Sequence, residues 1–84
     1  MSVAESGEPA FAVLLDASGL RCPEPVMLLH GAIRKAAVGE VIKLVATDPS
    51  TQWDIPRFCT YLGHELVATL VREDWYCYFI RRGG

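Results

Sequence analysis

With 84 residues, 51% of them hydrophobic and 21% charged, the chain has material for one small core and too much apolar character for disorder. A formal net charge of −2 excludes a bulk electrostatic pull toward nucleic acid or an anionic membrane. No apolar run approaches the roughly 20 residues that a membrane-spanning helix needs. Cys22, Cys59 and Cys77 are an odd set at long spacings, which suits free thiols in a reducing compartment better than a disulfide framework. Met1 to Pro9 is acidic and polar, unlike a signal peptide, so a cytoplasmic location is expected.

Residues 1–10 read as a flexible lead-in, because Ser2, Glu5, Ser6, Gly7, Glu8 and Pro9 offer nothing to bury, and residues 11–84 as a single domain. Phe11 to Leu15 is a short apolar strand ending at Asp16, with Ala17-Ser18-Gly19 as the turn. From Pro23 the period becomes helical. Val26, Leu29, Ile33 and Ala36 share a stripe, His30, Arg34 and Lys35 fall mostly off it, and Gly39 is the expected stop. Val41 to Thr47 reads as a mostly buried second strand. Asp48-Pro49 then signals a helix start, with Asp48 as cap and proline in the first helical position. Ile55, Phe58, Cys59 and Leu62 follow at i, i+3, i+4, i+7, and Gly63 ends the helix. Pro56 costs one backbone hydrogen bond inside this span and predicts a kink or a restart at Asp54. Leu66 to Val71 and Trp75 to Ile80, joined by Arg72-Glu73-Asp74, predict an antiparallel hairpin. The order β-α-β-α-β-β implies an α/β two-layer sandwich, with two helices on one face of a four-stranded mixed sheet.

The chemistry concentrates at Arg21-Cys22-Pro23-Glu24-Pro25, where strand gives way to helix. If Pro23 is the first helical residue, Cys22 is the N-cap and faces the positive end of the helix dipole, which favours a thiolate. Arg21 pushes the same way and Glu24 opposes it. Pro23 and Pro25 remove two of the N–H donors, leaving mainly the Glu24 N–H for the sulfur, so moderate activation is expected. The prolines also stiffen the junction and fix the angle at which Cys22 is presented. A cysteine is a poorer cap than serine, threonine, aspartate or asparagine, so its presence needs another reason. Cys59 and Cys77 are expected to pack as small apolar residues. Without a Cys-x-x-Cys pair there is no resolving thiol. His30 and His64 make no ligand pair with the cysteines, and His30, eight residues from Cys22, is about 12 Å along the helix, beyond reach as a base. No metal and no cofactor are expected. A nucleophile with neither base, metal nor second thiol is sufficient for a carrier but not for turnover.

These residues resemble the TusA/SirA-like family of small sulfur carriers. The Cys-Pro-x-Pro hallmark is Cys22-Pro23-Glu24-Pro25, preceded by Leu15 to Arg21, and a second signature is Asp48-Pro49 with Asp54 to Cys59. The similarity covers residues 13–84. It implies a fold like the C-terminal domain of a bacterial translation initiation factor. It also implies a persulfide on Cys22, received from a cysteine desulfurase and handed to a downstream relay protein, with tRNA wobble 2-thiouridine as the end product in the best-known branch. Molybdenum-cofactor assembly and sulfur oxidation are other branches. Arg21 and Glu24 then help recognise partners, and Pro23 and Pro25 set the presentation angle. A monomer that touches neither nucleic acid nor membrane is expected. Two other readings remain open. Gly83-Gly84 resembles the terminus of carriers that hold sulfur as a thiocarboxylate, and Lys43, Arg81 and Arg82 allow an RNA-binding or regulatory module. Arg34, Lys35, Arg81 and Arg82 are otherwise a solvated face or docking contacts for an acidic partner.

Overall fold

In the computed structural model, which describes residues 8–84, the elements are β1 (Val13–Ala17), α1 (Glu24–Lys35), β2 (Val41–Ala46), α2 (Thr51–Leu62), β3 (Glu65–Arg72) and β4 (Trp75–Arg81). They form one four-stranded sheet in the order β1-β2-β4-β3. β1 and β2 are parallel, and β4 pairs antiparallel with both β2 and β3. The expected β-α-β-α-β-β sandwich is therefore the observed architecture. No helix among the described residues is long and apolar enough to cross a membrane.

Alternation along the strands decides which face the helices cover. Ile42, Leu44 and Ala46 of β2 and Tyr76, Tyr78 and Ile80 of β4 are buried and meet Leu29 and Ile33 of α1 and Ile55, Phe58 and Cys59 of α2. Each fully buried aliphatic such as Leu29 or Ile55 contributes about 1.5–3 kcal/mol through the hydrophobic effect. Cys59 packs in this core as expected. Cys77 does not: the period of two puts it with Trp75 and Phe79 on the face without helices, where it is half-buried. On that face Phe79 is fully buried, Phe11 lies 6.3 Å from it, and Lys43 sits over both rings while pairing with Glu8 at 2.7 Å. The rest of the lead-in, residues 1–7, lies outside the described residues.

Several boundaries differ from the sequence expectation for local reasons. β1 runs on to Ala17, since Asp16 and Ala17 pair with Val45 and Ala46. Helix α1 ends at Lys35, before Gly39, where the Ala36 carbonyl accepts from the Arg82 guanidinium. Arg82 thus caps a helix C-terminus, the end that favours a cation. Pro56 sits within a single α2 that runs from Thr51 without a restart at Asp54. Leu62, the last residue of the expected apolar stripe, is exposed, and Gly63 ends the helix in the left-handed region at φ 78°, its N–H donating to the Cys59 carbonyl.

Parallel pairing of β1 and β2 has the consequence that matters for function. Both strands end on the same edge, at Ala17 and Ala46, so the turns leading into α1 and α2 lie side by side. The Gly19 N–H donates to Thr47 Oγ1 at 2.8 Å and joins them.

Candidate functional site

Cys22 is exposed at the apex of the first of these turns. The Glu24 N–H donates to the Arg21 carbonyl at 2.8 Å, closing a tight turn in which Cys22 and Pro23 are the inner residues; the Cys22–Pro23 peptide is cis. The helix therefore begins at Glu24 with Pro23 as its N-cap, and no side chain caps it. Cys22 lies one residue outside the cap. The expectation that its sulfur is bound by the Glu24 N–H fails, because the turn itself uses that donor.

What fixes Cys22 instead comes from the second turn. Its backbone N–H donates to Asp48 Oδ2 at 2.7 Å, while Asp48 Oδ1 accepts from the Ser50 N–H at 3.0 Å. One carboxylate thus spans both helix entrances. These two N–H groups hold the Asp48 carboxyl below its ordinary value, with a smaller contribution from the Arg21 guanidinium. Asp48 was expected to cap α2 with Pro49 in the first helical position. It holds the entering turn, but the helix starts later, at Thr51, with Ser50 as N-cap. The anchor there is buried: Thr51 Oγ1 donates to the Asp48 carbonyl and lies 2.7 Å from the Tyr78 hydroxyl.

The pKa of the thiol is raised, contrary to the expected activation. Hydrogen bonding to the Asp54 carboxylate is the main cause of a raised pKa, followed by desolvation and by the charges of Asp54 and Asp48; the Ser50 hydroxyl pulls weakly the other way. The sulfur lies one residue outside the cap, where Asp54 and Asp48 oppose its ionisation. Arg21, expected to favour the thiolate, acts on Asp48.

Beside Cys22 runs a groove of about 440 Å³ lined by Pro23, Val26, Asp54, Arg57, Phe58 and Tyr61. Pro23 forms part of its wall, Pro25 is fully buried, and Arg21 and Glu24 are exposed on either side of the Cys22–Pro23 pair in sequence and do not line the groove. Asp48 and Asp54 were not singled out from the residues as parts of the site. The signal for Asp54 was there: Asp54, Arg57, Phe58 and Tyr61 make a second i, i+3, i+4, i+7 stripe, one residue out of step with the buried one. His30 is exposed and meets Phe58 edge-on at 6.0 Å, while His64 stacks on the same ring at 5.8 Å.

The residues behind the other two readings have structural roles. The Gly83 N–H donates to His64 Nδ1 at 2.9 Å, and a side chain at Gly83 would collide with the Gly63 carbonyl, so packing accounts for this glycine. Arg81 pairs with Glu65, Arg82 caps α1 and Lys43 pairs with Glu8; Arg34 and Lys35 remain exposed in the last turn of α1.

Comparison with known proteins agrees with this geometry. The family described as Sulfurtransferase TusA matches residues 13–82. Sulfur carrier protein TusA of Pseudomonas paraeruginosa is 55% identical over 69 residues, covering 82% of this chain and 87% of the relative. Its counterpart in Pseudomonas entomophila is 56% identical over 68 residues, covering 81% and 85%. The crystal structure of a SirA-like protein from Desulfitobacterium hafniense has the same fold, with a TM-score of 0.76 at 19% identity, covering 87% of this chain and 100% of the other. By the extent of these matches and by the residues at its Cys-Pro-x-Pro turn, the chain belongs to the TusA family.

Proposed function

We propose that this protein is a stoichiometric sulfur carrier that accepts sulfane sulfur from a cysteine desulfurase as a persulfide on Cys22. It passes that sulfur to a relay protein, with 2-thiouridine at the tRNA wobble position as the end product. It acts in the cytoplasm, as a monomer, and without direct contact to nucleic acid. The observation that carries this reading is the isolation of an exposed, backbone-anchored thiol: Cys59 is buried in the core and Cys77 is on the opposite face of the sheet. A neighbouring thiol would attack the persulfide, expel sulfide and leave a disulfide. An isolated one keeps its cargo.

Transfer requires the Cys22 thiolate to attack the terminal sulfur of a donor persulfide, which is chemically akin to thiol–disulfide exchange. Exposure provides access, and the Asp48 hydrogen bond with the two prolines fixes the line of approach. The test is transfer of radiolabelled sulfur from a cysteine desulfurase to the wild type and to Cys22→Ser. Labelling should be lost in the variant. Equal labelling of both proteins overturns the proposal.

A further inference from the structure

The Cys22 groove contains two charged groups that simple carriage of sulfur does not use, Asp54 and Arg57, and of these Asp54 bears on the thiol. Asp54 lies on α2 beside the thiol, is half-buried, and makes no ion pair among the described residues. Its polar and charged neighbours are Asp48, Ser50 and Arg57. Asp48 accepts from the Cys22 and Ser50 N–H groups and has the Arg21 charge near it. Arg57 lines the groove one turn further along and forms no ion pair among the described residues. Ser50 Oγ is buried, uncharged and without a hydrogen-bond partner among them. A carboxylate set against a nucleophilic thiol opposes the anion that must attack, so a site selected for reactivity alone would not place one there.

We propose that Asp54 gates sulfur transfer at Cys22, and that a productive partner opens the gate by laying a Lys or Arg side chain in the groove against the Asp54 carboxylate. The inference rests on the persulfide-carrier reading above. The occupant it implies is a partner segment that presents a cation beside its sulfur-bearing cysteine, with apolar atoms to cover Val26, Phe58 and Tyr61.

In loading, Cys22 loses its proton to solvent and its thiolate attacks the sulfane sulfur of the donor persulfide. An S–S bond forms at Cys22, the donor's S–S bond breaks, and the donor cysteine leaves as a thiolate that takes up a proton. One sulfane sulfur has moved and nothing is oxidised or reduced overall. Unloading is the same step with Cys22 as leaving group. A cation on Asp54 favours the Cys22 anion in both directions, since it is the nucleophile in one and the leaving thiolate in the other. Between partners the bare carboxylate keeps the empty thiol unreactive and makes the loaded cysteine a poor leaving group toward stray thiols.

The full chain is tested with two synthetic cysteine-persulfide tripeptides, one containing Lys and one containing Glu. Wild type should load Cys22 severalfold faster from the Lys donor, with the preference shrinking at high salt. In Asp54→Asn the preference should collapse. Glu65→Gln makes the same change of charge at the far end of the sheet and should keep the wild-type ratio. Alkylation of Cys22 by iodoacetamide as a function of pH provides a second readout: the Asp54→Asn profile should move to lower pH, and Asp54→Glu should move it back. A Lys preference that persists in Asp54→Asn, with an unchanged alkylation profile, overturns the gate alone. If Cys22 takes sulfur from neither tripeptide nor from a cysteine desulfurase, the carrier reading falls and takes the gate with it.

Discussion

Two helix entrances stand side by side on one edge of the sheet, and they are built in opposite ways. The α2 entrance is anchored: Asp48 holds the Ser50 N–H, and Thr51 connects the Asp48 carbonyl to the buried Tyr78 hydroxyl. Neither N-cap residue makes a side-chain cap, but the α1 entrance has no buried anchor of this kind, and its reactive residue projects beyond the helix. It borrows its fixed geometry from the other turn through the second oxygen of Asp48. One junction carries the chemistry while its neighbour supplies rigidity, so a thiol exposed to partners need not be mobile.

The sharpest way to break this comparison is to release the anchor. Thr51→Val keeps the volume but removes the hydroxyl, leaving the buried Tyr78 group short of a partner at a cost of about 1–3 kcal/mol. Denaturant unfolding should show the midpoint falling, and sulfur loading under folding conditions should change little. Asp48→Ala should cost less stability, about 1 kcal/mol for hydrogen bonds that are exposed or only partly buried, but should slow sulfur loading of Cys22 more than Thr51→Val does. Equal loading by the two variants would show that Asp48 does not hold the thiol in place.

The smallest effect concerns His64, which buttresses Phe58 at the groove. Burial, then the charges of Arg82 and His30, hold its pKa below the ordinary 6.5. The unfolded chain therefore binds the proton more readily, and the stabilising contribution is present above pH 6.5 and is lost as pH falls through the lower folded value. The melting temperature should decline on acidification through this range, and His64→Gln should flatten that slope.

Most of the fold was legible in the sequence because two periodicities dictate it. Alternation in Val41–Ala46 and Trp75–Arg81 and the helical stripe through Leu29 and Ile33 identify both layers, and Gly63 marks its own helix end. The reactive cysteine was legible as well, from Cys22-Pro23-Glu24-Pro25. What eluded the sequence was the competition for hydrogen bonds. Capping rules treat each turn by itself, whereas the Arg21 carbonyl takes the Glu24 N–H and Asp48 reaches 26 residues back to Cys22. The sign of the thiol's pKa reversed for the same reason. The dipole of α1 is a property of the local sequence, but the nearness of Asp54 arises only when α2 packs beside α1 on the sheet. Cys77 shows a related limit, since alternation tells which residues share a face but not which face the helices cover.

The central claim is that sulfur travels on the exposed thiol at the α1 entrance. Peptide mapping by mass spectrometry, after incubation with a cysteine desulfurase and cysteine, tests it most directly. The account predicts one added sulfur on the peptide containing Cys22, removed by a reducing agent. Added sulfur on Cys59 or Cys77, or on Gly84 in a form that survives reduction, would contradict it.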